Sequence, residues 1–374
     1  MRLLTDTRAC ATIEGMSRVV HLHIGAPKTG TTYLQHRLSR NARTLAKHDV
    51  HVPTRSPLVS PELFQFRAAL DLLGQDWGGQ PGHADGAWPQ LVRRLRSKSG
   101  TSIVSHEILA PAPPETIAKA MRDLEGCEVH VVYSARDLAR ALPAAWQESI
   151  KQGRKWAYRR FLNRVEFGKP WFYRAFDLPR VLGTWSTGVA PERIHLVTVP
   201  QRGADPGELF RRFCTAFAID PEWAPLDSDR LNTSLGVAET QVIRQLNRRM
   251  DRATRREAEY DELIRELLAQ DRLVHRASPP VRLPPGRFAW ANDQADEWIE
   301  WVKGSGIHVV GDLDDLRPVP PADDEPYVNP DKVPPRVVLG AAVDALSAMT
   351  REAAARPDPR RTFGARFRKF RERS

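Results

Sequence analysis

The chain has 374 residues, 41% hydrophobic and 27% charged, a composition that suits one large globular domain and excludes a fibre or a disordered chain. Its net charge of +10 is unevenly placed, because Asp358 to Ser374 holds seven basic and two acidic residues, half of the surplus. The body is then only mildly basic, which argues against a specific nucleic-acid binder and suits a small anionic ligand.

Residues 1–15 have no steady periodicity and read as an N-terminal extension, with Met16 a candidate start directly before SRVVHLHIGA. The apolar run Val19 to Ala26 is far shorter than the ~20 residues that cross a bilayer, and no small-residue cleavage site follows it. A cytoplasmic protein is expected. Cys10, Cys127 and Cys214 lack the paired spacings of a zinc site or a disulfide framework, so they read as ordinary thiols and no metal is expected.

After the strand in VVHLHIGA come a helix over 31–41, a short strand in HDVHVP, and helical stretches over 61–73 and 87–97. TSIVSHE (101–107), EVHVVYS (128–134) and RIHLVTV (193–199) are further strands, each followed by a turn and a helix pattern. Such alternation predicts an α/β protein: a three-layer P-loop-type fold with a central parallel sheet and helical C-terminal additions. In such a sheet ligands bind outside the carboxyl ends of the strands. From Gly236 the pattern is helical, with Val242, Leu246 and Met250 on one stripe and Tyr260, Leu263, Ile264, Leu267 and Leu268 on another, both expected in the core. The expected division is an α/β domain over 16–316, a proline-rich linker over 317–335, and a helix with a basic tail over 336–374. Phe363, Phe367 and Phe370 among the tail's arginines suggest weak membrane-surface contact.

The stretch APKTGTT (26–32) sits where a strand runs into a helix. Gly25 and Gly30 have the spacing of the ATP loop G-x-x-x-x-G-K-[ST], but the lysine is Lys28, two residues before Gly30, and Thr31 stands where that loop's lysine would be. Free N–H groups at Thr31 and Thr32, the helix dipole, the close approach allowed by Gly30 and the Lys28 cation together make an anion site. No Walker-type acidic strand end accompanies it; Asp137, the one candidate, also suits a helix N-cap.

This loop resembles the 5′-phosphosulfate loop of the sulfotransferases, which use 3′-phosphoadenylyl sulfate (PAPS) as donor. The family's P-K-x-G-T-[ST] falls on Pro27, Lys28, Thr29, Gly30, Thr31 and Thr32, and the likeness extends more weakly over about 18–250. The resemblance implies that these six residues bind PAPS without a metal and that Lys28 stabilises the leaving phosphate. It implies a catalytic base shortly after the second clear strand, where Glu107 and His106 both stand. The family's R-N-P-x-D-x-x-x-S, which holds the donor's 3′-phosphate, is matched only at Asp137: Tyr133 and Ala141 occupy the arginine and serine positions, which leaves Arg136 and Ser134 to take over. Gln147 and Glu148 follow on the next helix, and Asn232 and Ser234 lie in a late loop similar to one that approaches the donor.

The implied activity is sulfuryl transfer from PAPS to a hydroxyl, or an amine, of a small-molecule, carbohydrate or lipid-linked acceptor. The alternatives are a noncatalytic nucleotide-binding protein of the same fold and a P-loop nucleotide-dependent kinase.

Overall fold

A computed structural model describes residues 17–77, 79–168, 171–229, 234–256, 258–276, 278–322 and 325–356. The extension 1–15, Asn232 and the basic tail with its expected membrane contact lie outside the described residues. Six strands, β1 (Arg18–His23), β2 (Val50–His51), β3 (Gly100–Ser105), β4 (Glu128–Ala135), β5 (Ile194–Thr198) and β6 (His308–Val310), form one sheet in the order β2-β3-β1-β4-β5-β6. Every pairing is parallel.

Side chains alternate across each strand, and both faces are covered. Leu22, Val131, Tyr133 and Leu196 belong to one core, while Val132, Val197 and Ile103 belong to a second on the opposite face. Helices Thr31–Arg40 and Glu208–Ala216 contribute Leu34, Phe210 and Phe213 to the second core. Helices Pro61–Leu73, Ala87–Arg96 and Leu138–Lys151 cover the first. The result is the α/β arrangement expected, a parallel sheet between helical layers.

The strand order fixes where a ligand can sit. From β1 the chain leaves toward β2, and from β4 it leaves in the other direction, toward β5. The crevice beyond the carboxyl ends of β1 and β4 is therefore the switch point of the sheet.

Several elements differ from the expectation. The three-residue β6 is too short to give a periodic signal, yet it pairs with β5 through His308, Val309 and Val310. Asp261–Arg272 is wound as a π-helix. Val242, Leu246 and Met250 are half-buried and pack against the edge of the first core, while Ile243 and Asn247 of helix Val237–Arg249 are fully buried, the Asn247 amide reaching the Ile150 and Arg154 carbonyls at 2.7 and 2.8 Å.

The proline-rich segment is tied to the body. Asp331 accepts from the backbone N–H groups of Tyr158 and Arg159, both at 2.9 Å, and so caps helix Tyr158–Glu166. Helix Pro335–Ala355 follows, with Ala341, Ala345 and Ala348 buried. Cys214 is buried and Cys127 half-buried, both as free thiols. Among the described residues no helix is long and apolar enough to cross a membrane.

Candidate phosphate-binding site

Residues 24–30 run from β1 into helix Thr31–Arg40 and are clamped along the end of β4. Ile24 and Ala26 donate N–H bonds to the Val132 and Ser134 carbonyls at 2.9 and 2.6 Å, and the Ser134 N–H returns one to Gly25. The loop is thus a continuation of sheet pairing and lies in the switch-point crevice. Gly25 has φ 110°, and a Cβ there would stand 3.0 Å from the Glu107 Cβ. Only glycine lets the loop lie against the Glu107 backbone.

Lys28 adopts the left-handed conformation, φ 64°, as do Asp49, Trp77 and Ala218. Gly30, φ 94°, is the N-cap; it offers no side chain, and no acidic residue stands in the helix's first turn. The free N–H groups and positive dipole end of this helix are left for an anion. Thr32 is exposed there, whereas Pro27, Thr29 and Thr31 are buried.

Beneath the loop lies a polar network on the second-core face. His23 is fully buried; its Nδ1 meets Ser105 Oγ at 2.7 Å and its Nε2 meets Ser134 Oγ at 3.2 Å. Ser134 Oγ continues to Thr29 Oγ1 at 2.5 Å, and Thr29 donates to the Ala26 carbonyl at 2.5 Å. Burial, opposed by Glu107 and reinforced by His106, lowers the His23 imidazole to about 4, so the ring is neutral at pH 7. Three strands and the loop are joined by one uncharged bridge. Ser134 and Thr29 spend their hydroxyls in it.

The charged groups sit above. Lys28 Nζ is 2.6 Å from Glu148 Oε2, and Arg265, on the π-helix, places Nη2 3.6 Å from the other oxygen. Burial opposes ionisation of Glu148, but Lys28, then Arg265 and Lys151, hold its carboxyl at about 2. Arg136 donates from Nη1 to the Lys28 carbonyl at 3.2 Å; its Nε is buried without a partner, and no carboxylate pairs with it among the described residues. Burial, then Arg140, lower the Arg136 guanidinium to about 10, so it is still cationic at pH 7. Its neighbour Asp137 is engaged, accepting from the Arg140 N–H at 2.9 Å as N-cap and pairing with the Arg140 side chain.

The two base candidates differ in setting. Glu107 follows β3; Gln35 Nε2, which donates to the Ser105 carbonyl at 3.0 Å, approaches Glu107 Oε2 at 3.4 Å. Burial raises the Glu107 carboxyl, but His106, its own N–H, Lys28 and His23 bring it below the ordinary value. His106 stacks on Phe66 at 4.8 Å, and its Nδ1 accepts from the Ile108 N–H at 3.3 Å. Burial lowers its imidazole, against the pull of Glu107.

Tyr133 and Ala141 are fully buried, and the Tyr133 hydroxyl donates to the Ala175 carbonyl at 2.8 Å, so both are packing residues. Gln147 is turned inward to the Leu235 carbonyl, 2.5 Å, and Thr240 Oγ1, 3.0 Å, while Glu148, one residue on, reaches the loop. Ser234 is exposed. Sequence reasoning missed His23, Gln35 and Arg265. For His23 a signal existed, since HLH puts His21 and His23 on one face of a strand otherwise built of valine, leucine and isoleucine.

No protein-family model matches the chain, and no curated protein matches it. Among solved structures, the chain is similar to a sulfotransferase from Alicyclobacillus acidocaldarius, at 13% identity and a TM-score of 0.35, over 65% of this chain and 100% of that one. A likeness so distant adds nothing to the geometry, and the site is read from its own residues.

Proposed function

We propose that the protein is a sulfotransferase that moves a sulfuryl group from PAPS to a hydroxyl, or an amine, of an acceptor. The observation that carries the reading is the PKTGTT loop at the β1/β4 switch point, with Lys28 over an uncapped helix N-terminus and a cation, Arg136, that has no carboxylate partner among the described residues. The orphaned Arg136 Nε and the free helix N–H groups suit a ligand bearing phosphate. Residues 27–32 and Arg136 would hold the donor, with Ser134 and Thr29 fixing the loop's shape from below. The donor supplies the sulfuryl group.

Glu107 takes the acceptor's proton as the acceptor oxygen bonds to sulfur. The sulfur–oxygen bond to the phosphate breaks, and its electron pair stays on the phosphate oxygen, where the Lys28 ammonium and the helix N–H groups stabilise it. His106 is less suited to that role: its Nδ1 accepts the Ile108 N–H, which puts the proton of the neutral ring on Nε2. The acceptor pool is small molecules, carbohydrates or lipid-linked alcohols.

A calorimetric titration tests the reading. Adenosine 3′,5′-bisphosphate without metal should bind, and Lys28→Met should weaken it. Binding of ATP only with magnesium would replace this reading with a kinase.

A further inference from the structure

Lys28 is one of three cations gathered round a single buried carboxylate. Glu148 and Lys151 are three residues apart on helix Leu138–Lys151 and so share a face. Arg265 comes to the far oxygen of Glu148 from Asp261–Arg272, a twelve-residue π-helix. Arg265 is also 3.4 Å from Asp261, itself half in solvent. Glu107 acts on Lys28 and Glu266 on Arg265, so these two cations are compensated.

The third cation is placed differently. Lys28 is paired with Glu148, and Arg265 lies between Glu148 and Asp261, whereas Lys151 makes no ion pair or side-chain hydrogen bond among the described residues, although it is half-buried. A half-buried ammonium beside two other cations is costly unless an anion arrives. Arg136 reaches the Lys28 carbonyl and makes no hydrogen bond or ion pair with Glu148, Lys151 or Arg265 among the described residues, so it stands outside this group.

We propose that Lys151 and Arg265 form a second anion subsite beside the phosphate loop, which receives a phosphate, sulfate or carboxylate carried by a ligand of that same site. It rests on the phosphate-loop reading for its setting, but its cations stand apart from the loop. The anion belongs either to the donor, as a second phosphate, or to an acidic acceptor. When it binds, Lys151 and Arg265 bridge it while Glu148 keeps its bond to Lys28.

The test compares the wild-type protein with Lys151→Met, Arg265→Met and the double variant. Thermal titrations use adenosine 3′,5′-bisphosphate, AMP and a sulfated disaccharide; inorganic sulfate, balanced with chloride, is the probe that needs no nucleotide. If the subsite reads the donor, the wild type prefers the bisphosphate to AMP and the double variant loses that preference, by about tenfold or more for a lost charge-assisted bond. If it reads the acceptor, the preference stays and the stabilisation by the sulfated disaccharide falls instead. Lys151→Arg, which keeps the charge, should retain most binding in either case. Unchanged responses to all four probes in a double variant that melts like the wild type overturn the subsite. Failure of both nucleotides to bind the wild type sinks the sulfotransferase reading alone, since inorganic sulfate still reports on Lys151 and Arg265.

Discussion

Two histidines on β1 make the fold sensitive to mild acid. His21 is 3% exposed, packed 5.6 Å from the Phe217 ring and 5.1 Å from that of His130, with Nδ1 unpartnered. Burial, then the charges of His130 and His195, lower its imidazole from 6.5 to about 3, and His23 is lowered to about 4. Above pH 6.5 neither the folded nor the unfolded chain protonates these rings, and they contribute nothing to the pH dependence. Below it the unfolded chain takes up a proton on each of these rings that the folded chain refuses, as it does on His195 and His106, so stability is lost as the pH falls. At pH 5 each of the two β1 rings costs about 2 kcal/mol, roughly 4 together, against a total of about 5–15 kcal/mol for a typical domain. Glu148 does not confuse this window, because its depressed carboxyl begins to cost stability only below about 4.5. Urea unfolding of wild type and His21→Leu at pH 7 and pH 5 checks the reasoning. The variant should lose about 2 kcal/mol less than the wild type across that interval. Equal losses would show that His21 titrates alike folded and unfolded, and the argument from its burial would fail.

Glu148→Gln removes a buried carboxylate that folding holds at about 2 instead of 4.5, so it should cost up to about 3 kcal/mol in urea unfolding at pH 7; an unchanged midpoint would mean that the Lys28 pair contributes nothing. Gly25→Ala sets a Cβ 3.0 Å from the Glu107 Cβ at φ 110° and should destabilise by about 1–3 kcal/mol. Gly126→Ala, also at positive φ but with no atom within 4 Å, is the comparison that isolates the clash. Arg136→Gln should weaken adenosine 3′,5′-bisphosphate by about tenfold or more in calorimetry, while Arg202→Gln, at an exposed position nearby, should leave it within about twofold.

The parallel sheet was legible because four of its strands carry strong β-formers and the helices between them are amphipathic. The two-residue β2 was found only through the pattern around it, and the three-residue β6 is held by pairing with β5, a long-range effect with no local signature. The same division runs through the site. PKTGTT is a contiguous signal, since its chemistry depends on the spacing of glycine, lysine and the helix start. Glu148 reaches Lys28 from 120 positions away, Arg265 reaches Glu148 from a helix 237 positions beyond Lys28, and Gln35 reaches Glu107 across the sheet; the contacts of Arg265 and Gln35 have no mark in their own neighbourhoods. Asp137 shows the opposite case. Its position after a strand fits an acidic strand end or an N-cap equally well in sequence, and the bond from the Arg140 N–H shows it capping the helix.

The arrangement separates two tasks that the loop must perform. Its shape is set from below by His23, Ser105, Ser134 and Thr29, a bridge that carries no charge at pH 7 and therefore does not compete with an anion above it. Its charge is set from above, where Lys28 is held by Glu148 and Arg136 by a backbone carbonyl. A histidine charged below the loop would add a cation at the price of unfolding the crevice; a neutral one fixes geometry without altering the field. Lys28 is then the loop's one mobile charge, and Glu148, ionised throughout the neutral range, settles where it points until an anion competes for it. Ligand affinity should accordingly depend on salt and on Glu148, while the loop's conformation should depend on the histidine bridge and fail first in acid.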